Sequence, residues 1–190
     1  VLGTAHEPGY PTYTLLNHVF VSLFPFGSIA YRANLLSALF SLAALWIFFR
    51  LLLLLGYSRW ISLITALCLC LGYTVWSQSV VAEVYTLNLL FVTLVLFHFV
   101  RWHLERRELD FYLACGFYAF SFGNHLTMIT FLPAVTLLVW MTHRRAFIEP
   151  KRVGAVLLLI AFGAAQYLYV FWRHADPGTP YLEMAAPDLQ

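Results

Sequence analysis

Ala33–Leu55 reads ANLLSALFSLAALWIFFRLLLLL, a run of apolar residues in which Arg50 is the one charge. As a helix rising 1.5 Å per residue it would be about 34 Å long, enough to cross a hydrocarbon core of roughly 30 Å. Similar runs follow at Trp60–Trp76, Val84–Val100 and Val153–Trp172, and a divided one covers Phe111–Phe122 and Leu126–Met141. The 190 residues are 62% hydrophobic and 11% charged, with a mean hydropathy of +0.77, outside the range of soluble domains. The expected class is an all-α, polytopic helical membrane protein.

Charge placement orients the spans. Arg50, Arg59, Arg101, Arg106, Arg107, Arg144, Arg145, Lys151 and Arg152 fall on one side, and only Arg32 and Arg173 on the other. Nine against two marks the first side as cytoplasmic. The opening loop, the Ser77–Glu83 turn, the Gly123–His125 turn and the C-terminal tail then share the outer face. A net charge of +2 gives no reason to expect a nucleic-acid partner. Cys68, Cys70 and Cys115 sit in apolar runs without CxxC spacing, so they read as buried core, with no metal site expected. No Met and no cleavable leader pattern precede Gly3, so Val1 reads as a cut end.

The outer-face segments carry the unusual polar residues. Gly3–Tyr13, GTAHEPGYPTY, sets His6 and Glu7 among Pro8, Gly9, Tyr10 and Pro11, which predicts a stiff irregular loop. Thr14–Phe24 is too short to span and reads as an interfacial helix, giving an outward first region over 1–32, a transmembrane domain over 33–172 and an outward tail over 173–190. Glu83 is the only charge between Arg59 and Arg101. Two accounts fit it: an acid in the first turn of a helix, with Ser79 or Gln78 capping, or a carboxylate in a partly apolar site with a raised pKa. Asn124 and His125, where two short helices meet, suit either the satisfaction of open backbone groups or catalysis. Arg32 either snorkels to the interface or binds a lipid phosphate. Tyr167, Tyr169 and Arg173 read as interface residues, and His98 and His103 belong to the other end. The charged connection Arg101–Asp110 is expected to lie in water. Walker, Rossmann, HExxH and G-x-S-x-G patterns do not occur.

Four segments in order carry a resemblance: Gly3–Tyr13, then FPFGSIAYRANLL over Phe24–Leu36, WSQSVVAEVYTLN over Trp76–Asn88, and GNHLT over Gly123–Thr127. Together they resemble the membrane family known as domain-of-unknown-function 2723, the transmembrane protein 260-like protein O-mannosyltransferases. The resemblance implies the N-terminal part of a C-type glycosyltransferase fold, with an active site on the outer face. The implied donor is a polyprenyl- or dolichyl-phosphate sugar, with no covalent cofactor and divalent-metal dependence left open. The implied acceptor is a protein or glycan hydroxyl, beside membrane lipids. His6, Tyr10, Arg32, Asn88, Glu83, Asn124 and His125 fall on the family's motifs, whereas Glu7 stands where the family usually has proline. His6 and Glu83 are the candidate catalytic residues, and Tyr10, Arg32, Asn88, Asn124 and His125 the candidate substrate-binding ones. The family's acid is expected upstream of Val1, so this stretch is not expected to catalyse alone. A bacterial inner membrane is the expected location, or the ER membrane for a eukaryotic chain. The competing class is a transporter or non-catalytic membrane protein with a polar solute site.

Overall fold

The computed structural model describes residues 9–175. Helix follows helix: α1 (Pro11–Leu23), α2 (Ile29–Leu54), α3 (Arg59–Leu71), α4 (Tyr73–Ser79), α5 (Tyr85–Glu105), α6 (Glu108–Ser121), a 3₁₀ turn (Leu126–Phe131), α7 (Leu132–Thr142), a second 3₁₀ turn (Arg144–Phe147), α8 (Pro150–Ala165) and α9 (Tyr167–Ala175). Among the described residues there is no strand. The protein is a helical membrane protein, as its composition requires.

Local chemistry sets the helix ends. Ser28 and Ser58 accept from the backbone N–H groups of Tyr31 (3.2 Å) and Ile61 (3.3 Å), capping α2 and α3. Gly56 closes α2 with φ 88°, a conformation costly for side-chain-bearing residues. Pro11 and Pro150 open α1 and α8, where the missing N–H costs no helical bond.

α5 is the central helix, packed between α2 and α6, and α8 lies on the far side of α6. Its buried Leu87, Phe91, Val95, Phe99 and Trp102 recur at spacings of three and four, which puts them on one face. α2 presents the small buried residues Ala33, Ser37, Ser41 and Ala44. Small residues let helix backbones approach closely where lipid tails remove the hydrophobic driving force. α8 meets α6 in the same way: a Cβ on Gly163 would sit 2.7 Å from the carbonyl oxygen of Ala119. Large apolar side chains such as Trp46, Ile64, Leu158 and Phe171 point outward, as a hydrocarbon solvent permits.

Several sequence expectations need correction. α2, α5 and the α8–α9 run (Pro150–Arg173) are long and apolar enough to cross a membrane. The Trp60–Trp76 run is instead a pair, α3 and α4, bent by 65° at Gly72. Gly72 holds an extended ψ of 134°, which turns the chain, and Ser77–Ser79 continue α4 where a polar turn was expected. α1 begins at Pro11, so the irregular loop stops at Tyr10. Cys68 is exposed on the bundle surface, and Cys70 and Cys115 are partly exposed, so none is fully buried core. The connection Arg101–Asp110 is mostly helical: α5 runs to Glu105 and α6 starts at Glu108, with Arg106 making the turn at φ 58°. Asp110 is 2% exposed, with His98 Nδ1 at 2.7 Å and the Nε atoms of Arg107 and Arg101 at 3.5 and 3.6 Å. Two helix termini packed together bury an acid that a water-filled loop would have solvated.

Candidate functional site

Three segments distant in sequence meet at one end of the bundle. Gly9 (φ 91°) and Tyr10 (φ 41°) both adopt left-handed conformations immediately before α1. For tyrosine that geometry is strained, and it persists only where neighbours hold it. The Tyr10 ring stacks on His125, with centroids 6.0 Å apart and planes 17° from parallel. Tyr85 flanks the same imidazole at 5.7 Å.

Backbone bonds fix the junction. Thr12 donates its N–H to the Gly123 carbonyl at 3.0 Å, and its hydroxyl bonds to the Phe120 carbonyl (3.2 Å) and to the Gln166 side chain. Gln166 also donates to Phe120 O (3.2 Å), and Tyr167 Oη to Phe122 O (2.7 Å). The α8–α9 break thereby satisfies carbonyls left open where α6 ends, as a broken helix in lipid requires. A Cβ on Gly123 would overlap the Gln166 side chain at 2.0 Å, so the glycine admits this contact. Asn124 is fully buried and donates through Nδ2 to the Val84 carbonyl at 3.1 Å. That carbonyl also accepts the first helical bond of α5, from Asn88 N at 3.0 Å. The Oδ1 atoms of Asn124 and Asn88 are buried with no hydrogen-bond partner among the described residues, and the Tyr13 hydroxyl is buried near Ser37.

His125 caps the 3₁₀ turn. Its Nδ1 accepts from Thr127 N (3.3 Å) and faces the Thr127 hydroxyl at 2.8 Å. With Nδ1 used as an acceptor, the neutral ring carries its proton on Nε2, which remains a donor for a ligand. Glu83 lies before the α5 N-cap, Val84, and is exposed. The first-turn account of Glu83 is therefore corrected, because Ser79 bonds back to the carbonyls of Val75 and Trp76 within α4 and caps nothing on α5. The partly apolar environment is corrected too, since the carboxylate stands at the surface. Its charge acts on two phenols. Burial, then Tyr85, then Glu83 push the Tyr10 phenol above its ordinary pKa, and burial with a smaller contribution from Glu83 does the same for Tyr13.

The structure thus brings Tyr10, Asn124 and His125 together, with Glu83 two residues before Tyr85 and Asn88 one turn along α5 from Val84. Arg32 serves the α1–α2 junction, where Nη1 donates to the carbonyls of Val21 (2.6 Å) and Phe24 (2.8 Å), the open C-terminal groups of α1. His6 and Glu7 lie outside the described residues. Among the described residues no three of His, Cys, Asp and Glu gather as a metal site requires. Sequence reasoning marked Tyr13, with Tyr10, only as a residue of the opening loop able to stack or hydrogen-bond, and it missed Thr12, Tyr85 and Gln166. Gln166 had a signal, as the only amide within Val153–Trp172; Thr12 looks like an ordinary hydroxyl residue of the opening loop, and Tyr85 like an ordinary aromatic of an apolar run.

Comparison with known proteins adds a second line of observation. The chain is 35% identical to the mouse Protein O-mannosyl-transferase TMEM260 over 97% of its own length and 26% of the relative's. It is 25% identical to the Dictyostelium discoideum Protein O-mannosyl-transferase tmem260, over 89% of this chain and 23% of the relative. The chain thus spans about a quarter of the length of these relatives. No solved structure matches it. Residues 1–147 match the Protein O-mannosyl-transferase TMEM260 N-terminal domain, and with Tyr10, Tyr85 and His125 of its motifs meeting at one end of the bundle, the chain belongs to the TMEM260 family.

Proposed function

We propose that this chain is the N-terminal part of a membrane glycosyltransferase of the C-type fold. It would move a mannose-like sugar from a polyprenyl or dolichyl phosphate to a hydroxyl of a protein or glycan. The observation that carries the reading is the convergence of Tyr10, Tyr85 and His125 beside Glu83, in a chain whose relatives bear the name protein O-mannosyl-transferase. In the reaction the acceptor oxygen bonds to the anomeric carbon, and the bond from that carbon to the phosphate oxygen breaks. The lipid phosphate leaves with the electron pair, and the acceptor proton passes to a carboxylate.

The residues present have distinct parts in this scheme. Aromatic faces on Tyr10 and Tyr85 give a sugar ring a flat apolar surface. His125 Nε2–H is a donor for a phosphate oxygen, where a hydrogen bond to developing charge counts most. Glu83 holds the acceptor hydroxyl or supports its base, and Asn88 and Asn124 present amide oxygens. His6 is a further donor in this proposal, whereas Arg32 is held by the carbonyls of α1. The face involved is the arginine-poor one, which is the periplasm for a bacterial inner membrane or the lumen for the ER.

The test uses the full-length protein with radiolabelled dolichyl-phosphate mannose and a polypeptide acceptor, with and without a divalent-metal chelator. Label transferred to the polypeptide supports the reading, and the chelator arm decides metal dependence. Absence of transfer from any lipid-phosphate sugar would overturn it.

A further inference from the structure

α7 and α8 run from the arginine-rich end toward the end that holds the Tyr10–His125 group. α7 packs on α5 and α8 on α6, and between them lies an open cavity of about 630 Å³. Its wall is almost wholly apolar, formed by Phe111 and Cys115 of α6, Val135 and Val139 of α7, and Val156 and Leu157 of α8. The lining follows α8 from Val153 and ends at Tyr167, about 20 Å at 1.5 Å per residue, against roughly 15 Å for half of the hydrocarbon core. The apolar lining is thus longer than one leaflet is deep, which leaves room for acyl chains entering from the arginine-rich side.

The rim is cationic. Ala146 and Phe147 line the cavity, and the same connection carries Arg144, Arg145 and Lys151, all exposed. Glu149 is the one acid between α7 and α8, and it is occupied by His143 (2.8 Å) and Arg152 (2.9 Å). Arg152 also bonds Glu108 at 2.8 Å and lies over the ring of Phe111, itself part of the wall. Its Nη1 is buried with no acceptor among the described residues. Arg144 lies over the Trp140 ring at 4.4 Å, as expected of an interfacial pair. An apolar slot beneath three exposed cations matches a ligand with hydrocarbon chains and a negative phosphate.

From this complementarity we infer that the α7–α8 cavity binds an anionic glycerophospholipid, its chains in the slot and its phosphate held by Arg144, Arg145 and Lys151. The far end of the cavity, at Phe122 and Tyr167, borders the junction that holds His125, but the proposal does not rest on the sugar-transfer reading.

The test is native mass spectrometry of the full-length protein released from detergent with palmitoyl-oleoyl phosphatidylglycerol or the phosphatidylcholine of the same chains. The expected result is retention of phosphatidylglycerol at least tenfold above phosphatidylcholine. The combined substitution Arg144→Gln, Arg145→Gln, Lys151→Gln removes the preference, and Ala164→Phe, which fills the slot, lowers retention of both lipids. Should the combined variant not fold, Arg144→Gln and Lys151→Gln singly each reduce the preference. Equal retention of the two lipids, or a preference unaffected by these substitutions, overturns the proposal. So does a photoreactive residue at Val135 that cross-links to another segment of the protein and not to lipid.

Discussion

Asn124 reaches across the bundle from the end of α6 to the carbonyl of Val84, 3.1 Å away, and ties the Gly123–His125 turn to the start of α5. The donor is fully buried, so no water replaces the bond if it is lost. Asn124→Ala is expected to cost about 1–3 kcal/mol, the usual range for a buried hydrogen-bonding group left unpaired. Asn124→Asp costs more, because it buries a charge against a carbonyl oxygen. Thermal unfolding in detergent checks the order: wild type, then alanine, then aspartate. A variant ranking with aspartate above alanine would contradict the role given to Nδ2.

Glu83 separates function from folding. The carboxylate is exposed, so Glu83→Gln should change stability by no more than about 0.5 kcal/mol. Sugar transfer by the full protein should nevertheless fall at least tenfold. Unfolding temperature and turnover, measured on the same preparation, decide the matter. Unchanged turnover would remove Glu83 from the site.

Two glycines should respond differently to the same methyl group. In Gly123→Ala the obstruction is the Gln166 side chain, which can swing away at the loss of its bonds to Phe120 and Thr12. A loss of about 1–3 kcal/mol is expected, partly relieved when Gln166→Ala is added. In Gly163→Ala the obstruction is the backbone carbonyl of Ala119, which has no comparable freedom. No side-chain truncation should rescue it. Unfolding temperatures of the single and double variants test both statements.

Glu149 supplies a pH dependence. The hydrogen bond from His143, with smaller contributions from Arg152 and Arg145, holds its carboxyl below the ordinary value of 4.5. A depressed folded value means that the folded state binds the proton less readily than the unfolded one, so the contribution is fully present above about 4.5 and lost as pH falls through the lower value. The difference in unfolding temperature between wild type and Glu149→Gln should be small, because the group is at the surface, and should close below pH 4.5. A difference that widens on acidification would reverse the sign.

Much of the architecture was legible because its causes are local. Hydropathy and length marked Ala33–Leu55, Val84–Val100 and Val153–Trp172 as spans, and the interruption at Gly123–His125 marked a break. The bend at Gly72 was missed because one glycine in an apolar run has no fixed consequence: it lowers helix propensity, and packing decides whether the chain turns. Asp110 read as solvated for a related reason, since its burial depends on two helix ends and His98 closing over it.

The amino-acid sequence by itself determined that this chain lies in a membrane as helices, and its motifs named Tyr10, Glu83, Asn124 and His125 as candidates. Only the tertiary structure decided that Tyr10 stacks on His125, that Gln166 joins Thr12 and Phe120, and that Arg32 is engaged by the carbonyls of α1. Burial in lipid follows from composition summed along a run of neighbours. A partnership across more than a hundred residues follows from how helices pack, which no local pattern encodes.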